Sequence, residues 1–183
     1  AAIRAIRHPG ELVGVGLPYT ERDREYFEKK GRKTDVDPLL YFRCHGTKVL
    51  EMKLPSGRSI HYINPVVTEE DAVYRDPQTG KERNYTRQSV SYEGKEQGSK
   101  NWGRVTTHGG KLCENSCQTV ARDVLVHGMR KAHEAGFSIV GHCYDEIVTL
   151  APLDSDLTVA KLCTCMTDPP PWSGDALPLA AEG

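Results

Sequence analysis

Two adjacent carboxylates, Asp145 and Glu146, stand between two apolar runs, and their types and spacing suit chemistry best in this sequence. The runs Ile139–Val140 and Ile147–Leu150 are short and rich in β-branched residues, which predicts a β-hairpin with the acidic pair at its tip. Neighbouring ionised carboxylates repel each other, so such a tip usually needs a cation, either a basic side chain or a metal ion. A solvated acidic turn is the alternative, because acidic residues are common turn formers.

A long helix is predicted just before this hairpin. Apolar or small residues recur at helical spacing and Gly136 follows as a stop signal, which predicts a helix from about Glu114 to Ala135. We expect one face to be buried against a sheet, and that face carries Cys113, Cys117, Val120, Ala121, Val124, Leu125, Gly128, Met129 and Ala132. The polar face carries Asn115, Gln118, Arg122, Arg130 and Lys131. Its amide and guanidinium groups near the helix start could reach a duplex backbone or minor groove. An ordinary solvated face is the alternative.

The first third of the chain contains further turn and strand signals. Residues 39–63 predict a meander of three antiparallel strands with a second turn at Pro55–Arg58. Arg58 follows the glycine of this turn, so we expect its guanidinium at a hairpin tip, facing a phosphate or solvent. Residues 1–7 predict a helix with no initiator Met or capping residue before it, as in a fragment. Residues 20–37 are highly charged and predict an exposed helix or insertion.

Residues 64–110 show no sustained periodicity and are rich in polar residues, which predicts a long polar loop or insertion. Between Arg75 and Lys111, eight Lys and Arg residues stand against four acids. Aromatic residues are interleaved with them, namely Tyr85, Tyr92 and Trp102, and Tyr74 comes just before. Basic residues mixed with aromatic ones can follow a nucleic-acid backbone and stack on bases. A flexible surface insertion is the alternative.

The composition is that of a globular protein with one main domain: 183 residues, 38% hydrophobic and 27% charged. We find no membrane-spanning or signal-peptide pattern, and we expect a cytoplasmic protein. The net charge of -1 conceals an asymmetry, because residues 1–110 carry 19 Lys and Arg against 15 acids, whereas residues 111–183 carry 5 against 10. A basic half joined to an acidic half suits a protein that grips a polyanion with one surface and holds cations with another.

The chain contains six cysteines and no Cys-x-x-Cys pair. This pattern favours reduced, mostly buried thiols over a disulfide framework or a zinc site.

Three segments, in this order, resemble the C-terminal palm region of a family A DNA polymerase of bacteriophage type: Leu54–Tyr62, Gly109–Asp123 and His142–Glu146. The chain end is similar to the end of that family. The resemblance implies an α+β fold in which an antiparallel palm-like sheet packs on a long helix, with a polar basic insertion. Residues 1–110 would be a fingers-to-palm connecting segment with antiparallel hairpins, and residues 111–183 the palm end with the long helix, the motif C hairpin and a C-terminal helix.

The resemblance also implies roles for single residues. The family's hairpin motif is usually His-Asp-Glu, so Asp145 would ligate the catalytic Mg²⁺ ions and Glu146 would support the primer end. Two Mg²⁺ ions about 3.5–4 Å apart activate the primer 3′-hydroxyl and steady the leaving pyrophosphate. Tyr144 stands where His is usual, so this chain departs from the family at a primer contact. Gln118 is similar to the palm-helix glutamine that touches the minor groove, and Arg58 is a candidate DNA contact.

The implied activity is template-directed nucleotidyl transfer in DNA replication, with primer–template DNA and deoxynucleoside triphosphates as partners. Two parts of the family's active site, a second metal-binding aspartate and a Lys/Arg/Tyr fingers helix, have no match before residue 54. We therefore expect the chain to be inactive by itself and to need the missing N-terminal part of the polymerase.

Two other functions stay open. One is a non-catalytic nucleic-acid-binding module derived from a polymerase palm. The other is a metal-dependent nuclease or phosphatase that uses Asp145, Glu146 and His142. Strand alternation places His142 and Asp145 on opposite faces of the hairpin, which disfavours a shared ligand set.

Overall fold

The computed structural model describes residues 1–15, 29, 40–96, 98–173 and 177–183. It is an α+β structure, as predicted, and it divides into two units, Ala1–Leu112 and Cys113–Gly183. Its helices include α1 (Ala2–Arg7), α2 (Gly109–Glu134) and α3 (Val159–Thr167). The charged segment at residues 20–37 lies outside the described residues except for Lys29. No helix within the described ranges is long and apolar enough to cross a membrane.

The first unit is built on an antiparallel sheet in which each strand pairs with the next along the chain. The strands are β1 (Val13–Gly14), β2 (Tyr41–His45), β3 (Val49–Lys53), β4 (Ser59–Arg75), β5 (Glu82–Lys95) and β6 (Trp102–Thr107). The predicted three-strand meander is confirmed by the pairing of β2 with β3 and of β3 with β4. Alternate residues face a common core with α1, formed by Ala2, Ala5, Val13, Phe42, Cys44, Leu50, Met52 and Tyr62.

Residues 64–110 are not the long loop that the sequence predicts. β4 and β5 form an extended hairpin around a turn at Asp76–Gly80, and β6 then pairs with the inner end of β5. Most side chains of the outer hairpin are exposed on both faces. A strand pair that is solvated on both faces has no buried face that selects apolar residues at alternate positions, so the period of two that normally indicates a strand is absent.

The second unit contains most of α2, the strands β7 (Ser138–Cys143) and β8 (Glu146–Leu150), and α3. α2 begins earlier than predicted, because His108 caps it: the backbone N–H of Lys111 donates to the His108 Nδ1 over 3.3 Å. The helix ends as predicted at Gly136, whose φ is +99°. There the N–H of Phe137 donates to the carbonyl of Ala132 over 3.0 Å, which closes the last turn.

The buried face predicted for α2 is wrong in its first half, where Cys113, Cys117 and Ala121 are exposed. The residues of α2 that are buried are Ser116, Asp123, Leu125, Gly128 and Ala132. At 3.6 residues per turn, the first two lie on roughly the opposite side of the helix from the last three. The buried side therefore changes along α2, and one apolar stripe cannot describe it.

All six cysteines are free thiols, but Cys44 is the one that is buried, so the prediction of mostly buried thiols is wrong. Cys113 and Cys117 lie one turn apart on the exposed side of α2. A hydrogen bond with Cys117 that favours the neutral thiol raises the pKa of Cys113 above its usual value, which disfavours its thiolate form.

α3 packs closely on α2 at a glycine. A Cβ on Gly128 would lie 2.9 Å from the Met166 Sδ and 3.2 Å from the Met166 Cα, so the two backbones can approach this closely only at a glycine. After α3, the Asp168 carboxylate accepts from His127 Nε2 over 3.1 Å and lies 3.2 Å from Lys131 Nζ. Hydrogen bonds from His127 and then from Lys131 lower the pKa of Asp168 below its usual value.

We expect Gly128→Val to lower the free energy of unfolding by about 1–3 kcal/mol, because the new side chain overpacks the contact with Met166. Denaturant titration followed by circular dichroism measures this change. Gly109→Val is the matched control, since a Cβ at Gly109 meets no atom within 4 Å. Equal unfolding midpoints for Gly128→Val and the unsubstituted chain would contradict the close helix contact.

Candidate active site

The predicted acidic hairpin is confirmed. β7 pairs with β8 from Ser138 opposite Leu150 to Cys143 opposite Glu146, with an irregularity at Val140. Tyr144 and Asp145 are the two residues of the turn, and Glu146 is the first residue of β8. Both carboxylates are exposed. The hairpin thus presents Asp145 and Glu146 to solvent at its tip.

Tyr144 occupies an unusual conformation at this tip. Its φ is +51°, and its side chain is 92% exposed. A left-handed backbone places the Cβ of an L-residue close to the following carbonyl and costs free energy that a glycine would not lose. No burial of the ring offsets this cost. Strained, solvent-exposed positions cluster at binding sites, so Tyr144 is a candidate contact for a ligand.

Arg122 connects α2 to the acidic hairpin. Its guanidinium nitrogens lie 3.2 Å from Nδ1 and 3.3 Å from Nε2 of His142. A neutral imidazole has one acceptor nitrogen, so one of these contacts is a hydrogen bond and the other places the guanidinium along the ring. His142 precedes Tyr144 by two residues. A permanently charged side chain of α2 is therefore held against β7, just before the turn.

Three of the predicted DNA-binding residues share one side of α2. Asn115, Gln118 and Arg122 are spaced three and four residues apart, which places them within about 60° of one another around the helix. Gln118 and Arg122 are exposed, and Asn115 is partly buried. Through the contact of Arg122 with His142, this side of α2 lies next to the acidic hairpin.

Arg58 is at a hairpin tip, as predicted. It follows Gly57, whose φ is +85°, and the N–H of Leu54 donates to the Arg58 carbonyl over 2.9 Å to close the turn between β3 and β4. The Arg58 side chain is exposed. It belongs to the first unit, whereas the other candidate residues belong to the second.

The carboxylates fit a magnesium ion only in part. Among the described residues, no three His, Cys, Asp or Glu side chains are grouped closely enough to hold a metal ion. Mg²⁺ is normally held through one or two carboxylates together with substrate phosphates and several waters. Asp145 and Glu146 therefore do not make a complete metal site by themselves.

The position of His142 bears on the nuclease or phosphatase hypothesis. Both of its ring nitrogens lie within 3.3 Å of the Arg122 guanidinium, whose permanent positive charge repels a metal ion at the same ring. The predicted use of His142 as a metal ligand is therefore disfavoured. Sequence reasoning missed its contact with Arg122, because the two residues are 20 positions apart on different elements and no local pattern pairs them.

Comparison with known proteins gives one informative similarity. No protein-family model matches the chain, and no solved structure matches it. A DNA polymerase of Bacillus phage SP02 is 36% identical over 135 residues, which cover 74% of this chain and 18% of that polymerase. The chain thus spans less than a fifth of the length of this relative. The similarity supports a relationship to a DNA polymerase.

We expect Tyr144→Gly to unfold at a higher denaturant concentration than Tyr144→Ala, by about 1 kcal/mol in free energy of unfolding. Both variants lack the exposed ring, but alanine retains the Cβ that strains the left-handed turn. Chemical denaturation of the two variants side by side measures the difference. If Tyr144→Ala proves as stable as Tyr144→Gly, the turn does not hold the backbone strain inferred here.

Proposed function

We propose that this chain is the palm end of a phage-type family A DNA polymerase and that it binds primer–template DNA. The contact of Arg122 with His142 carries the proposal, because it joins the Gln118 side of α2 to the acidic turn. The sequence similarity to a phage DNA polymerase supports the same function. The proposed substrates are a primed DNA template and deoxynucleoside triphosphates.

The DNA contact that we propose for each residue follows from the chemistry of its side chain. The amides of Asn115 and Gln118 can donate to the purine N3 and pyrimidine O2 acceptors that every base pair shows in the minor groove. Arg122 can neutralise a backbone phosphate. The exposed ring of Tyr144 can stack at the primer end, and Arg58 is a further DNA contact.

Asp145 is the proposed Mg²⁺ ligand, with Glu146 as the neighbouring acid that supports the primer end. In nucleotidyl transfer, bound Mg²⁺ supplies charge stabilisation and activation of the attacking hydroxyl. Asp145 and Glu146 need at least one further carboxylate, which we propose the rest of the polymerase supplies. Without that carboxylate, the two residues position a primer end but do not form a complete catalytic site.

An exposed apolar surface on the hairpin supports the need for further polypeptide. Val140, Val148 and Leu150 are 58%, 54% and 63% exposed, and the nearby Leu153 is fully exposed. Large exposed apolar patches mark interaction surfaces in folded proteins. We propose that another part of the polymerase covers this side of the hairpin.

A non-catalytic nucleic-acid-binding module is the second candidate function. The observation that favours it is that no group of metal-ligating side chains occurs in the described part of the chain. DNA binding that does not change with Mg²⁺ or with Asp145→Ala would support this module. Binding that strengthens with Mg²⁺ and loses that response in Asp145→Ala would support the polymerase palm.

We expect Gln118→Ala to weaken binding of a primer–template duplex by about 2- to 10-fold, the loss of a net hydrogen bond. We expect Arg122→Ala to weaken it and to reduce the dependence of log K on log salt by about 0.9. Fluorescence anisotropy at several salt concentrations measures both effects. Arg130→Ala is the matched control, because Arg130 is exposed but lies eight residues beyond Arg122, about 12 Å farther along α2 from Gln118. Equal losses for Arg122→Ala and Arg130→Ala would contradict the proposed face.

We expect the purified chain to extend no primer on a primed template with Mg²⁺ and deoxynucleoside triphosphates, because its two carboxylates are too few for the reaction. Gel analysis of a labelled primer measures extension. Extension that Asp145→Asn abolishes would show that the chain has a complete site and would refute this expectation.

A further inference from the structure

The outer part of the β4–β5 hairpin has no third strand beside it among the described residues. Residues 68–89, here called the arm, form eight residue pairs from Thr68 opposite Ser89 to Arg75 opposite Glu82. At about 3.3 Å per residue the paired part is ~27 Å long. β3 pairs with β4 only as far as Ile63, and β6 pairs with β5 only from Val90 onward. Because side chains alternate along each strand, the arm has two different faces.

The two faces of the arm differ in chemistry. The face that we call the aromatic face carries, from Glu70 outward, Glu70, Ala72, Tyr74, Arg83, Tyr85 and Arg87. The opposite, acidic face carries Glu69, Asp71, Val73, Arg75, Glu82, Asn84, Thr86 and Gln88. Two arginines outnumber one glutamate on the aromatic face, whereas three acids outnumber one arginine on the acidic face. A polyanion therefore meets a favourable charge only on the aromatic face.

In the inner part of the arm, polar side chains of the two strands form hydrogen bonds with each other. Arg87 donates to Glu70 over 3.2 Å, and Gln88 donates to Glu69 over 3.1 Å. Farther out, the side chains of Tyr74, Arg83 and Tyr85 make no hydrogen bond or ion pair with any described residue. The two tyrosines are 52% and 47% exposed. The outer aromatic face thus presents two open rings and an unpaired guanidinium.

We propose that the aromatic face of the arm binds single-stranded DNA. Unpaired bases offer their π-faces to aromatic side chains, whereas the bases of a duplex are stacked on one another. Tyr74 and Tyr85 are diagonal neighbours on one face, about 7–8 Å apart, so each ring can receive a base. Arg83 lies opposite Tyr74 and can neutralise the phosphate that links two bases stacked on Tyr74 and Tyr85.

Duplex DNA fits this face less well. Affinity for a duplex depends on neutralising many phosphates, and Arg87 is already paired with Glu70. One unpaired arginine neutralises too few phosphates to bind a duplex, whereas two exposed aromatic rings suit a strand whose bases are unpaired. The choice of DNA rests on the proposed function, since a primed template carries a single-stranded segment beyond the primer.

Fluorescence anisotropy of the full 183-residue chain with a labelled oligothymidylate tests the arm. We expect Tyr74→Ala and Tyr85→Ala each to weaken binding by at least about fivefold, the lower range for loss of one base stack. Tyr74→Phe and Tyr85→Phe retain the rings and should bind like the unsubstituted chain. Arg83→Ala should reduce the dependence of log K on log salt by about 0.7.

Val73→Ala and Asn84→Ala, on the acidic face, are the matched controls and should leave binding unchanged. Circular dichroism verifies that each variant is folded. Binding that withstands both tyrosine-to-alanine changes overturns the proposal, and so does an equal loss in the acidic-face controls. Tighter binding of a duplex of the same length, with the same dependence on the tyrosines, would also overturn it.

The outcome separates the arm from the proposed polymerase function. Gln118→Ala should weaken binding at a primer–template junction but not binding of the oligothymidylate. If Gln118→Ala acts and the tyrosine variants do not, the arm proposal fails and the polymerase proposal stands. If the tyrosine variants act and Gln118→Ala does not, the polymerase proposal fails and the arm proposal stands.

Discussion

The side chains of Arg122 and His142 meet with nitrogen–nitrogen distances of 3.2 and 3.3 Å, and the arrangement of the candidate site depends on this contact. It joins one side of a long helix to the strand that leads into the acidic turn. The helix itself is located by close packing on α3, where Gly128 allows the Met166 backbone to approach. Gln118 and Asp145 thus lie on two elements that this polar contact joins.

The elements that have one apolar and one polar side could be predicted from the sequence. β7 and β8 were indicated by β-branched runs around polar residues, and the meander of β2 to β4 by turns at Gly46 and Gly57. The true start of α2 lies before the predicted Glu114, because the His108 ring supplies the cap and histidine is not among the usual N-cap residues. The arm was missed because both of its faces are solvated, so no alternation of apolar and polar residues is present.

The candidate residues were recognised through the resemblance to a polymerase family, and local patterns alone left several functions open. The structure adds the spatial relation that no pattern contained: the Arg122 guanidinium lies against the His142 ring on the hairpin. It also shows why a single buried stripe on α2 was a poor expectation. Ser116 and Asp123 are buried on one side and Leu125 on roughly the other, so the helix meets different surroundings along its length.

Within the described part of the chain, the outer side of each strand of the arm has no neighbouring strand, so its backbone amides and carbonyls form open rows there. Such rows are templates on which another chain can add a strand. Edge strands that are long, flat and apolar therefore tend to aggregate. Here charged residues recur along both strands, among them Glu69, Asp71 and Arg87. Bringing two arms together side by side would place many of these charges in contact and strip them of water. The charges that give the arm its two faces thus also oppose the pairing of a ribbon of this length with copies of itself.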